Sequence, residues 1–167
     1  IFATEQISHN VDCPCPGWAQ QSPDKWWIDI CTAIHQLLTR TYTNPAKIAA
    51  IACCGQMHGS VGIDANGNTT TPLVQLWCDK RCQGLCQSIA KDNQHIQLAN
   101  LSANPINPAW SGFKVAWYKN NQPDSYKNAK WFLVPKDFIN FKLTGVAATD
   151  PSEASGSFLL DCNTEQY

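Results

Sequence analysis

The chain contains no apolar run approaching the roughly 20 residues that span a bilayer, and its first residues show neither a basic n-region nor an apolar h-region. A membrane partner and export drop out of the reading, and a soluble, cytoplasmic protein is expected. Glycine-rich phosphate loops are missing too: neither GxxxxGKS/T nor GxGxxG occurs, so nothing visible in these residues cradles a nucleotide. Charge is sparse and balanced, with 12 Lys and Arg against 13 Asp and Glu, 15% of the residues, for a net charge of -1. Such a chain offers no basic face for nucleic acid and no acidic tail, which leaves small neutral ligands.

Cysteine is present in quantity, at 9 residues, yet lacks the patterns that would give it a task. An odd count without a secretory leader argues against a disulfide framework, and no CxxC pair occurs for a zinc site. Cys78, Cys82 and Cys86 recur every four residues and would share one face of a helix. Small buried hydrophobes are the simpler reading, and no metal is assigned. Cys53 and Cys54, adjacent on a strand, point to opposite faces and cannot serve one site together.

With 167 residues, 44% of them hydrophobic, the chain can bury one sizeable core but not a second complete domain. It lacks an initiator Met, and its opening "IFATEQIS" reads as a strand entered midway, so a truncated chain is expected. Ile1 to Ser8 is the first strand of the reading. Ser22-Pro23-Asp24 predicts a helix start, with Ser as N-cap, Pro at the first helical position and an acid near the positive dipole end. Trp27, Ile30, Ile34 and Leu37 or Leu38 carry the 3.6-residue period on to about Arg40. Ile48 to Cys54 reads as the next strand, so strand, helix and strand form a parallel pair with a right-handed crossover.

Further along, Asn66-Gly67 predicts a tight hairpin with two residues at positive φ. Asp79 to Asp92 reads as a helix, and Leu98 to Gly112 as a loop long enough to be functional. Ser111 caps another helix, Trp131 to Val134 is a short buried strand, and a helix from Pro135 is stopped by Gly145. The class is α/β, a mixed sheet flanked by helices.

The strand-like run Ile48 to Cys54 stops at Gly55-Gln56-Met57-His58-Gly59, which puts polar side chains at an element end. Cys54 with His58 as nucleophile and base lacks an oxyanion loop and is a generic coincidence. Gln56, Met57 and His58 after one strand, and Trp77, Asp79 and Arg81 after another, stand where ligands sit in α/β sheets. A flat indole covers the C-H face of a sugar, while Gln, His, Asp and Arg hydrogen-bond its hydroxyls. Each residue has a plainer reading: His58 as a turn residue, Met57 and Trp77 as core, Asp79 and Arg81 as a pair across a surface turn. The residues alone lead to an α/β domain with a candidate polyol pocket.

Six blocks, "PGWAQQSPDKWW", "GQMHGSVGIDANG", "PLVQLWCDKRC", "SGFKVAWYKNN", "LVPKDFINFKLTG" and "ATDPSEASGSFLLD", run in this order from Pro16 to Asp161. Together they resemble the N-terminal domain of the FGGY carbohydrate kinases, especially the xylulokinase branch. The "GQMHG" turn carries the branch assignment, since glycerol kinases have an Arg-Glu pair at the positions of Met57 and His58. The resemblance implies a ribonuclease H-like, actin-like fold in which residues 1–167 are an incomplete N-terminal, sugar-binding domain. ATP and Mg2+ would be bound mainly by segments absent from the chain.

The implied reaction is transfer of the ATP γ-phosphoryl group to a primary hydroxyl of a ketopentose such as D-xylulose. Met57 and His58 would touch the sugar, Gln56 would shape the turn and Trp77 would line the pocket. Asp79 and Arg81 fall in a segment matching the family's Trp-Asn-Asp-x-Arg, with Cys78 in place of Asn. Ala109 stands where xylulokinases commonly have Gly, and Asn104-Pro105 is what survives of a Thr-Gly-Asn-Pro loop. No catalytic residue is expected here, because the general-base Asp would lie beyond residue 167 and the Asp-x-Gly-Thr phosphate loop before Ile1. The chain alone is therefore expected to be inactive, and a sheet edge left bare favours self-association, as in a homodimer. The alternative is a non-catalytic sugar-binding or regulatory relative.

Overall fold

The computed structural model describes residues 1–91 and 94–166. Among the described residues, four short strands form two antiparallel ribbons rather than one mixed sheet. In the first, β1 (Gln20–Gln21) pairs with β3 (Val74–Gln75), Gln20 opposite Gln75. In the second, β2 (Val61–Ile63) pairs with β4 (Trp131–Leu133), Val61 opposite Leu133. Around them lie α1 (Pro23–Arg40), α2 (Gln83–Ala90), α3 (Gln94–Ser102), α4 (Ser111–Asn121), α5 (Pro123–Asn128), α6 (Pro135–Thr144) and α7 (Pro151–Ser155).

One core joins both ribbons to α1 and α6 through Trp26, Val61, Ile63, Val74, Leu76, Leu133 and Phe138. A smaller one packs Cys82 and Cys86 against Phe113 of α4. No helix among the described residues is long and apolar enough to cross a membrane.

Two helices begin or end where their local chemistry dictates. The Ser22 hydroxyl accepts a hydrogen bond from the Lys25 N–H at 3.3 Å and Pro23 follows as the first helical residue, so α1 starts there. It ends at Arg40. Gly145, at φ 73°, closes α6 in the left-handed conformation that a residue without Cβ adopts freely.

Other elements differ from the sequence expectation. Neither Ile1–Ser8 nor Ile48–Cys54 is a strand, and the parallel pair with its crossover does not form. Apolar content is not enough for a strand, which also needs a neighbouring backbone to pair with. No ladder partner stands beside either segment among the described residues, and Ile48 and Ile51 are exposed.

The hairpin turn has only one residue at positive φ, Gly67 at 84°. Asp64 N–H donates to Asn68 O at 2.9 Å, leaving a three-residue loop with glycine at its left-handed position instead of the two-residue turn. Helix α2 starts at Gln83 rather than Asp79, whose carboxylate is engaged elsewhere; its predicted end at Asp92 lies outside the described residues. Cys78 thus precedes the helix and shares no helical face with Cys82 and Cys86. Leu98 to Ser102 belongs to α3, not to a loop. Trp110 rather than Ser111 is the N-cap of α4.

Candidate functional site

The turn between Gly55 and Ser60 is built on strain. His58 takes a left-handed conformation, φ 62°, and across it the Gly59 N–H donates to Met57 O at 2.9 Å. This is the strained form of γ-turn, which a residue with a side chain keeps only where its surroundings hold it. Three contacts do so. A Cβ on Gly59 would sit 2.8 Å from Pro135 Cγ, so the turn lies flush against the start of α6. The Ser60 hydroxyl donates to Ser111 O at 3.2 Å. From below, the fully buried Lys114 ammonium donates to His58 O at 2.6 Å.

Gly59→Ala tests the first of these contacts. It is expected to destabilise the domain by about 1–3 kcal/mol, the usual cost of overpacking. Denaturant unfolding measures it, and an unchanged midpoint would show that the turn is free to move.

The His58 ring is half-buried. Its edge-on neighbour is the Trp110 indole, with centroids 4.7 Å apart, and a Cβ on Gly156 would come within 3.1 Å of its Cε1. Nδ1 is buried without a hydrogen-bond partner. Burial first, and then the charge of Lys114, hold the imidazole pKa below its ordinary value, offset in part by the Gly156 backbone. The ring is accordingly neutral at neutral pH, with one nitrogen to donate and one to accept.

Met57, beside it, is 52% exposed, and Trp77 is 53% exposed rather than part of the core. Gln56 Nε2 donates to Gln21 Oε1 at 3.1 Å, the same oxygen that accepts from Trp26 Nε1. It also borders a cavity of about 240 Å3 with Gln21, Trp26 and Lys136. On the other side of the turn, Gly59 and Ser60 border a cavity of about 220 Å3 with Ser111, Asp137 and Glu153.

Asp79 and Arg81 are paired, as the plainer reading expects, but inside the protein and not on a surface turn: their side chains are 0% and 3% exposed. The Asp79 carboxylate accepts from Ala19 N at 2.7 Å, from Arg81 N at 2.8 Å and from the guanidinium at 2.8 Å. Arg81 also donates to Gln20 Oε1 at 2.8 Å, and its Cζ lies 3.7 Å from the Trp18 ring centroid. This node staples the segment after β3 to Ala19 and Gln20 at the start of β1, and Trp77, two residues before Asp79, is exposed.

Gln56 meets the same ribbon through Gln21. Lys114 donates to the His58 turn, and its charge also interacts with Asp79 and Arg81. Among the described residues no three His, Cys, Asp or Glu side chains converge to hold a metal.

Sequence reading passed over Lys114 and Gln21 as parts of the site. One signal was available: Lys114 stands four residues after Trp110 and four before Tyr118, a cation on an apolar helix face.

Residues 1–167 match the model of the N-terminal domain of the FGGY family of carbohydrate kinases. The xylulose kinase of Staphylococcus xylosus is 32% identical over 167 residues, 100% of this chain and 34% of that protein. A crystal structure of a xyloylose kinase from Brucella ovis superposes with a TM-score of 0.84 at 28% identity, over 95% of this chain and 32% of the other. The glycerol kinase of Plasmodium falciparum, solved with ADP, gives a TM-score of 0.78 at 23% identity, over 96% of this chain and 33% of the other, a likeness of fold. The chain thus spans about a third of the length of the relatives it matches, and kinases of this group have an actin-like ATPase fold. With the family model covering every residue, the chain belongs to the FGGY family of carbohydrate kinases.

Proposed function

We propose that these residues are the sugar-binding domain of an ATP-dependent kinase of ribonuclease H-like fold, acting on a primary hydroxyl of a ketopentose such as D-xylulose. The observation that carries the reading is the His58 turn: a neutral imidazole held at φ 62° and half exposed beside an exposed Met57. Strain kept in place by buried contacts is typical of positions where a protein fixes a ligand.

In this reading His58 exchanges a hydrogen bond with a sugar hydroxyl, Met57 packs on the carbon skeleton and Trp77 covers a C-H face. Gln56 sets the turn and borders the neighbouring cavity. Asp79 and Arg81, with their hydrogen bonds spent on each other and on residues 19 and 20, frame the Trp77 loop from beneath. The partner is a small sugar, and the compartment is the cytoplasm.

Phosphoryl transfer also needs a metal clamp and a base near the attacking hydroxyl. In this reading ATP and Mg2+ are held mainly by the rest of the longer protein, outside these residues. By themselves these 167 residues are expected to bind a ketopentose without phosphorylating it. Isothermal titration with D-xylulose, paired with an ADP-release assay, tests this. Sugar-dependent ADP release at ordinary enzyme rates from the 167 residues alone would refute the division of labour. Saturable binding by the longer protein without any turnover would favour a non-catalytic relative.

A further inference from the structure

Lys114 makes no ion pair among the described residues, although its side chain is fully buried. Its Nζ donates to two backbone carbonyls, His58 O and Ala109 O, each at 2.6 Å. A buried ammonium without a bonded carboxylate is costly to keep, and here it touches two backbone strands that meet at one place. The first is the γ-turn of His58. The second is the loop entering α4, whose next residue, Trp110, packs its indole at right angles to the His58 ring, with centroids 4.7 Å apart.

We propose that Lys114 is a positioning residue for the sugar site, a cross-brace that clamps the His58 turn to the 109–110 loop and so fixes the imidazole. The proposal rests on the reading of His58 as the sugar contact and adds the group that aims it.

The physical case is one of over-determination. A left-handed, non-glycine residue relaxes toward negative φ unless something holds it. The Gly59–Met57 hydrogen bond is internal to the turn and travels with it, whereas Lys114 ties the turn to a separate helix. Bonds from an ammonium are about twice as strong as those from a neutral donor. Without the ammonium, the two carbonyls lose this donor, and the Ser60 and Pro135 contacts alone are left to hold the ring against Trp110.

The clamp is also sensitive to proton loss. Burial lowers the Lys114 pKa to about 8, against opposing contributions from Cys82, Asp79 and Cys78, with Arg81 lowering it further. The groups facing it are these four, from the segment before α2, and His58 from the turn. Asp79 and Arg81 are paired to each other, burial pushes the Cys82 thiol up to about 12, and His58 titrates below its ordinary range. As pH rises through 8, the ammonium becomes an amine, its bonds weaken, and sugar affinity falls.

The test uses the protein that carries this chain and titrates D-xylulose calorimetrically into wild type, Lys114→Met and His58→Ala. Lys114→Met is expected to weaken D-xylulose about tenfold, the size of a lost charge-assisted hydrogen bond, with nucleotide affinity unchanged. Wild-type Kd for the sugar should rise between pH 7 and 9 with a midpoint near 8, and the Lys114→Met profile should be flat. Cys78→Ser run in parallel removes the neighbouring thiol from the comparison.

A folded Lys114→Met protein with wild-type affinity and a wild-type pH profile overturns the proposal. Should that variant fail to fold by circular dichroism, the wild-type profile decides: a rise centred near 8 supports the clamp and a flat profile overturns it. Failure of the underlying reading looks different. Wild type then takes up no D-xylulose, or His58→Ala binds it as wild type does, and the positioning role falls with it.

Discussion

Asp79→Ala is expected to lower the stability of the domain by about 3–5 kcal/mol, the cost of leaving one member of a buried ion pair uncompensated. For a domain of this size that is a drop of about 6–20 °C in Tm. The pair is sealed, with the two side chains 0% and 3% exposed, so water cannot take over the lost carboxylate. Removing it strands the Arg81 guanidinium and the Ala19 N–H, which donates to Asp79 at 2.7 Å. Gln20 and the Trp18 ring remain as partners of Arg81, but neither is an anion.

A double variant, Asp79→Leu with Arg81→Met, should recover part of the loss, because an apolar pair of similar volume has no charge to desolvate, while the Ala19 N–H stays unpaired. Differential scanning calorimetry separates the cases. A single variant within about 0.5 kcal/mol of wild type, the range of ordinary surface substitutions, would mean that water reaches the pair.

His58→Ala is expected to reduce kcat/KM for D-xylulose by about 10- to 100-fold in the full-length protein, the range for losing one well-placed hydrogen bond to a substrate. The KM for ATP should stay the same. The pH dependence has a definite sign. Burial and Lys114 depress the imidazole pKa, so the neutral ring, which both donates and accepts, persists through neutral pH. On the acid side, sugar affinity should hold through the ordinary imidazole range and fall as pH drops through the lowered value, separate from the alkaline loss near 8 that belongs to Lys114. His58→Ala should abolish that acid limb. A variant with wild-type KM for the sugar and an unchanged acid limb would remove His58 from the site.

The contrast between these two residues shows what the sequence could and could not reveal. Helix α1 was legible because its start depends on three consecutive residues, Ser22, Pro23 and Asp24, whose effects are local. The same holds for Gly145 closing α6 and for the strand beginning at Trp131. Ile1–Ser8 and Ile48–Cys54 read as strands because their composition suits one, but strand formation depends on a partner that composition does not specify.

At the site, the "GQMHG" turn stood out through its glycines, and Gly59 has its steric reason in Pro135, 76 positions later in the chain. The burial of Asp79 was not legible, since its main-chain partner Ala19 lies 60 residues away. Lys114 was hidden for a related reason. A lysine on a helix reads as a solvent-facing charge, and only the fold reveals that its ammonium ends on the carbonyls of residues 58 and 109.

The most direct measurement is a crystal structure of the protein that carries this chain, soaked with D-xylulose. The account predicts a sugar hydroxyl within about 3.2 Å of a His58 ring nitrogen, hydrogen-bonding distance, with Met57 and Trp77 against the carbon skeleton. A pentulose bound elsewhere, with the His58 ring making no contact to it, would contradict the account.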